Sequence, residues 1–528
     1  MIPRQQIEVV LFKRDLRIHD HAPLFRAAKA GAVLPLYVVE PSQIHAPDFD
    51  SSHWTFTRES LIELREALAM RGQSLIVRVG ETIDVLESLR ERFTISGLWA
   101  HEETTNSIAY ARDRALRLWA KQNRVPFTEI PPAGVVRRLK SRDDFAGLWE
   151  ERMSLPITPT PHRLTPVCGI VPGDIPDHAA LNLPPDPRAA ALQTGGETAA
   201  RATFDSFLGG RVTQYQHGMS SPNSAAEHCS RLSSYFAYGN LSLRQVVQRS
   251  RETLTEMGLF EPPRSGTPEA MWYRAIRSFE ARLHWRDHFI QKMESEPRFE
   301  FENQIAAFDG MRENEFSEAR FEAWKAGMTG YPMVDACMRS LHATGWINFR
   351  MRAMLCSFAS YHLWLHWQKP GVYLAKQFVD YEAGIHYCQM QMQSGLTGTG
   401  TLRIYNPTKQ AQDQDRDGTF IRRWLPELSR VPKEFLFTPW TMPFAVQEGA
   451  GCRLGKQYPL PIVDDLTSVR YARLKIAEVR HRAETTEQAN ALYQKHANRK
   501  SFLRPNRTCV SSAPRKEKPA DTQLTLDW

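Results

Sequence analysis

Two arginines stand where charge is expensive. Arg350 and Arg352 lie inside residues 349–367, a run that is apolar nearly all the way round a helix, so the segment is expected to be buried on every face. A guanidinium there needs a carboxylate or carbonyl partner, because an unpaired charge in low dielectric is too costly to keep. One helix later, Phe378-Val379-Asp380-Tyr381-Glu382 offers two carboxylates. The residue types alone leave two readings open. One is a structural arginine–aspartate pair inside a helical core; the other is a pair of arms gripping a bound polar cofactor. A second charged cluster, Lys13-Arg14-Asp15-Leu16-Arg17, follows the first apolar run of the chain. Its plain reading, and the preferred one, is an ion-pair network joining two parts of the molecule.

Two kinds of architecture must position these groups. Residues 7–12, 33–39, 75–79, 97–101 and 126–130 are short runs rich in β-branched or aromatic residues, with amphipathic segments such as 54–71 and 109–122 between them. That rhythm predicts βαβ units and an α/β domain with a doubly wound parallel sheet over residues 1–134. No Gly-x-Gly-x-x-Gly follows the first strand, so an ordinary dinucleotide site is not indicated. The charged cluster takes its place, at the carboxyl end of a strand where such sheets bind ligands or partners. Residues 135–194 are rich in proline and glycine and are expected to form an extended linker. Helices dominate 195–480, and 481–528 reads as a helix running into a basic, partly disordered tail.

At 528 residues with a net charge of +8, the chain is long enough for two full cores and basic enough for a polyanionic partner. Its seven cysteines show no CxxC spacing, which points to reduced thiols and away from zinc or an iron–sulfur cluster. The first residues lead into a strand with no apolar signal region, and no run reaches about twenty apolar residues. A soluble, cytoplasmic, monomeric protein with no membrane partner is expected.

Four blocks then carry a resemblance. They are VLFKRDLRIHDHAPL at 10–24, CSRLSSYFAYGNLSLRQ at 229–245, LHWRDHF at 283–289, and GYPMVDACMRSLHATGWINFR at 330–350 with NPTKQ and IRRWLPEL after it. In kind and order they resemble the cryptochrome/photolyase family over roughly residues 7–440. The resemblance implies an α/β antenna domain followed by a large all-α FAD-binding domain. It also implies non-covalent FAD, and a folate or deazaflavin antenna pigment as an option near His101-Glu102-Glu103-Thr104-Thr105-Asn106.

The same resemblance assigns roles. Cys229, Ser230, Arg231, Leu232 and Ser233 match the flavin-phosphate loop, where small hydroxyls and backbone N–H groups make a diphosphate cradle. Tyr215 falls beside the phosphate and adenine, Arg286 and Arg352 near the flavin, and Asp380 and Glu382 at its ribityl or ring edge. Trp285 and Trp346 match the aromatic wall of the lesion pocket, and Arg403 and Gln410 match DNA contacts. Trp367 matches the middle of an electron-transfer triad.

Departures from the family pattern cluster. Cys229 replaces threonine and Ser234 proline. Arg282 stands where a glutamate usually binds the damaged bases, which inverts the recognition chemistry. Asn348 and Phe349 replace the usual histidine-containing pair, leaving Asn348 to offer an amide to a base edge or the flavin. His386 stands where a smaller polar residue faces flavin N5, and a histidine there titrates near neutral pH. Met390 and Met392 replace two tryptophans, so Trp364 and Trp367, one helical turn apart, and Tyr387 are the substitutes for an electron path. The function implied is a blue-light-driven DNA photolyase acting on UV-damaged DNA. A cryptochrome-like photoreceptor without repair activity is the alternative.

Overall fold

In the computed structural model, residues 4–398 and 402–496 of the chain are described. The amino-terminal part is a five-stranded sheet in the order β3-β2-β1-β4-β5, made of β1 (Gln6–Phe12), β2 (Val33–Val39), β3 (Ile76–Val79), β4 (Thr94–His101) and β5 (Phe127–Ile130). Every pairing is parallel. Strand alternation splits β1 between two cores. Ile7, Val9 and Leu11 pack with Leu86, Leu89 and Leu116 on one face. Val10 and Phe12 join Leu61, Leu64, Phe279 and Leu283 on the other, so this face is also the seat of the helical part.

Strand order reverses between β1 and β4, which places the residues after β1 in the crevice of the sheet. They make the junction anticipated from the charged cluster. Arg14 donates through Nε to the Ala237 carbonyl at 2.5 Å, through Nη2 to the Tyr381 carbonyl at 2.8 Å and through Nη1 to Thr105 Oγ1 at 2.9 Å. Arg17 donates to the Gly239 carbonyl at 2.9 Å. Gly239 has φ +68, and a Cβ there would meet the Arg14 carbonyl at 2.2 Å, so only glycine admits this approach. Asp15 Oδ2 lies 2.9 Å from His21 Nε2 and 2.7 Å from His101 Nδ1. Burial opposes its charge, yet the two imidazoles hold Asp15 well below the usual carboxylate range.

Two expectations need correction. The segment read as an extended linker contains a ten-residue helix, Phe145–Ser154, whose Phe145, Trp149 and Met153 are buried. The apolar run at 349–367 is not one helix. It is α-helical over Phe349–Ser357 and widens to a π turn over Phe358–His362. It then breaks at Trp364, whose φ is 57. Arg312 explains the break: its Nε takes the Ser360 carbonyl at 3.2 Å, and its guanidinium lies 4.5 Å from the Trp364 ring centroid. Trp364 and Trp367 therefore do not share a helical face. Nor is the run buried throughout, since Phe349 is 45% exposed. At the far end the chain forms the helix Ala483–His496; the rest of the basic tail lies outside the described residues.

Candidate functional site

The site is built round one ion pair. Arg352, on the Phe349–Ser357 helix, forks onto Asp380 with Nη1–Oδ1 at 3.0 Å and Nη2–Oδ2 at 2.9 Å, while its Nε donates to the Ile347 carbonyl at 2.7 Å. Burial opposes ionisation of Asp380, but the fork and the Ser233 hydroxyl outweigh it and keep the acid below its ordinary range. Arg352 thus satisfies the structural reading of the buried arginines. Arg350 does not: its Nε is buried with no hydrogen-bond partner.

Three segments meet at this pair, and each carries an unsatisfied buried polar atom: Ser234 Oγ, Asn348 Oδ1 and Glu382 Oε1. The hydrogen bonding of such atoms is what a bound ligand can complete. The loop before the short Ser233–Ala237 helix adds cations. Arg231, with φ 62, makes no ion pair among the described residues; its guanidinium lies 3.8 Å from the Trp346 ring centroid. Burial pulls it down to about 10. Arg211 braces the loop from outside, donating to the Cys229, Glu227 and Thr203 carbonyls at 2.6, 2.9 and 3.0 Å. Burial pushes the Cys229 thiol up to about 11, although Arg231, Arg211, Arg352 and Arg282 all pull the other way. Arg282 also acts on the buried Tyr215 hydroxyl, so Tyr215, Arg282 and this loop form one basic neighbourhood. Leu232 is fully buried beneath it, and Ser230 Oγ accepts from the Leu232 N–H at 3.5 Å. Cations without carboxylate partners beside orphaned acceptors fit a cofactor that carries phosphates and ring N–H and C=O groups.

The Ala383–Gln393 helix carries His386, the residue that the resemblance sets against flavin N5. His386 is fixed by Nε2–H donating to the Gly371 carbonyl at 2.7 Å. Contrary to the expectation of a group titrating near neutrality, burial lowers it to about 4, so the imidazole is neutral at physiological pH. Glu382 sits 3.6 Å from Arg14 of the α/β domain. Met390 is buried, with its Sδ 3.0 Å from Cys356 Sγ. Trp367 is fully buried, donates through Nε1 to Asn303 Oδ1 at 2.7 Å, and stands 6.0 Å from the Tyr387 ring.

On the side assigned to DNA, the picture changes. Trp285 is half-buried and packs on His288 at 4.7 Å and Phe289 at 5.8 Å. The next residue, Arg286, pairs with the buried Asp287 at 2.7 Å. Trp346 has one face covered by Arg231, so only part of it is open to a base. Asn348 spends both amide hydrogens on the Met219 and Ser220 carbonyls, at 3.0 and 2.8 Å; it has no donor left for a base edge. Gln410 is 2% exposed with a buried, unpartnered Oε1, so it does not present its amide to a duplex as expected. Arg403 is half-buried and anchored through its carbonyl by the Ser357 hydroxyl at 3.1 Å. Beside residues 102–105 lies an interdomain cavity of about 80 Å³, a volume with room for a few waters; a folate or deazaflavin needs it to open.

The sequence reading overlooked the clamp on residues 377–382 from the far side. Tyr381 donates to Asp48 at 2.6 Å, His53 Nε2 bonds the Phe378 carbonyl at 3.0 Å, and Arg188 reaches the Gln377 carbonyl at 3.3 Å. A tyrosine between two acids was a signal; an isolated Asp48 in a loop was none.

Comparison with known proteins agrees with this geometry. Residues 8–137 match the family model for DNA photolyase, and residues 279–478 match that for the FAD binding domain of DNA photolyase. A deoxyribodipyrimidine photo-lyase of Streptomyces griseus is 30% identical over 87% of this chain and 96% of its own. A cryptochrome DASH of Gloeobacter violaceus is 29% identical over 86% of this chain and 93% of its own. Among solved structures, a Synechocystis cryptochrome superposes with TM-score 0.80 at 25% identity, covering 90% of this chain and 100% of its own. A class III photolyase from Agrobacterium tumefaciens gives 0.76 at 25% identity, over 91% and 99%. No helix among the described residues is long and apolar enough to cross a membrane. With its parallel sheet, its helical cofactor half and its basic cradle, the chain belongs to the cryptochrome/photolyase family.

Proposed function

We propose that this protein is a blue-light-driven DNA photolyase that uses FAD to repair pyrimidine photoproducts in UV-damaged DNA. The observation that carries the reading is the pairing, on one helix, of Arg282 beside the Cys229–Ser233 cradle with a half-buried Trp285 one turn further on. When bound, reduced FAD supplies a light-excited electron and takes it back after the photoproduct splits, leaving no net redox change. The residues of the chain hold and aim it. Ser230, Arg231 and Ser233 would hold the diphosphate with Arg282 adding positive charge beside them, and the Arg352–Asp380 fork keeps the Asp380 carboxylate ionised where the flavin would bind. Neutral His386 keeps a free nitrogen, Nδ1, on the ring-facing helix. Trp285 offers a stacking surface to a base flipped out of the duplex, the route by which enzymes reach their target base. The net charge of +8 favours the DNA backbone. An antenna pigment in the α/β domain belongs to the same reading and requires the cavity beside residues 102–105 to widen.

The test is repair under blue light by chemically reduced protein, on one oligonucleotide with a cyclobutane dimer and one with a (6-4) product. Repair of either is expected. Repair of neither, with FAD bound, favours the second reading, a cryptochrome-like photoreceptor. Three observations support that alternative: the buried Gln410, the spent amide of Asn348 and the covered face of Trp346.

A further inference from the structure

The segment expected to be a linker returns to the site. It runs against the long helix Pro268–Ser295, which carries Arg282 and Trp285. Several contacts tether it there. The Gly134 N–H and Trp149 Nε1 donate to Asp287 Oδ2 at 2.9 and 3.0 Å. The Val136 N–H donates to Gln291 Oε1 at 2.7 Å, and Gln291 Nε2 donates back to the Val136 carbonyl at 3.0 Å. Phe145 and Trp149 pack on His284 at 5.5 and 5.1 Å. A tether needs no more than this.

One further contact is made at a cost. Arg142 donates through Nη2 to His288 Nδ1, with its guanidinium 4.0 Å from the Phe145 ring centroid. Burial pulls Arg142 down to about 10. Burial also holds His288 well below its usual range, helped by Arg142, by Lys292 and His284 of its own helix and by His496 of the Ala483–His496 helix. A guanidinium among such neighbours is repelled by them, so strength of tethering does not explain it. Its position does. The His288 ring stands 4.7 Å from that of Trp285, and Phe289 stands 5.8 Å from it. Trp285 thus rests on two rings of its own helix, and the first is gripped from another segment.

We propose that Arg142 is a positioning residue for lesion recognition, fixing the His288 ring and through it the orientation in which the Trp285 indole stacks on a flipped base. This rests on the reading of Trp285 as that stacking surface. The Arg142 hydrogen occupies the Nδ1 lone pair, so His288 is neutral and carries its own hydrogen on Nε2. A ring held at that end cannot swing, and the indole packed on it is ordered before DNA arrives. An ordered platform loses little rotamer freedom on binding, which is how preorganisation adds affinity. Arg142 touches no DNA in this scheme and acts on the preference for damaged DNA alone.

The experiment uses full-length, FAD-loaded protein containing 5-fluorotryptophan. Wild type is compared with Arg142→Met, Arg142→Lys and His288→Phe, and Arg142→Met is also made with Trp285→Ala. Binding to duplexes with and without a pyrimidine photoproduct is titrated, and the Trp285 fluorine resonance is identified by its loss in Trp285→Ala. Arg142→Met and His288→Phe should each weaken binding to photoproduct DNA about fivefold, leave undamaged duplex unchanged, and shift or broaden the Trp285 resonance. Arg142→Lys, which keeps a donor, should recover most of the loss. In the Trp285→Ala background Arg142→Met should add nothing. If Arg142→Met does not fold, His288→Phe reads the same coupling, since it keeps a ring against Trp285 and removes the acceptor. Equal losses on both duplexes would make Arg142 a backbone contact and overturn the proposal, as would a loss that persists without Trp285 or an unmoved Trp285 resonance. Wild type that does not prefer photoproduct DNA overturns the functional reading beneath it instead, and the resonance then decides the latch by itself.

Discussion

Arg231 lays its guanidinium 3.8 Å from the centre of the Trp346 ring, and no carboxylate pairs with it among the described residues. A desolvated cation that rests on an aromatic face with no carboxylate hydrogen-bonded to it is poised for an anion. Arg231→Ala should therefore weaken FAD binding by about 1.5–3 kcal/mol, the worth of a hydrogen bond to a charged group. Fluorescence titration of the apoprotein measures it, and an unchanged Kd would show that Arg231 serves Trp346 alone.

The Arg352–Asp380 fork is a different case, because both partners are present. Removing one leaves the other buried and uncompensated, so Asp380→Ala should cost about 3–5 kcal/mol in urea unfolding. Adding Arg352→Met should return a large part of that. A double variant no more stable than Asp380→Ala would refute the coupling.

His386 gives a pH dependence with a definite sign. Its folded value of about 4 lies below the free value of 6.5, so the unfolded chain takes up the proton first. The stability carried by the neutral imidazole is fully present above 6.5, falls as pH drops from 6.5 toward 4, and is gone below. In His386→Gln this component is absent, so the gap in stability between the two proteins should narrow over that window. A gap that stays constant from pH 7 to 4 contradicts the assignment.

Trp285, half-buried against His288 and Phe289, is the stacking residue of the proposed function, whereas Trp346 has one face under Arg231. Trp285→Ala should lower affinity for photoproduct-containing DNA by about 1–3 kcal/mol, the value of one base–aromatic stack, with little change for undamaged duplex. Equal losses on both DNAs in gel-shift titration would move Trp285 from the lesion to general packing.

The sheet was legible because its signal is local. Each apolar run of β-branched residues became a strand within a few residues of its expected bounds, since buried parallel strands need little beyond such runs. The Arg352–Asp380 pair was legible for the same kind of reason: a charge in an apolar run announces its own partner. What failed depended on partners distant in sequence. The break at Trp364 is imposed by Arg312, 52 residues earlier. The neutrality of His386 comes from burial that no spacing reveals. The loss of Asn348 as a donor to a base edge comes from two carbonyls of another loop. Asp48 became visible only when the domains closed on each other.

The clamp that Asp48, His53, Arg14 and Arg188 place on residues 377–382 bears on how such proteins can diverge. A lineage can discard a pigment from its first domain without touching the second. It cannot discard the domain, because that domain is the scaffold for the strap bearing Asp380 and Glu382. A hybrid that joins this helical half to a relative's first half must therefore inherit the matching strap with it. The two halves evolve as one piece of machinery.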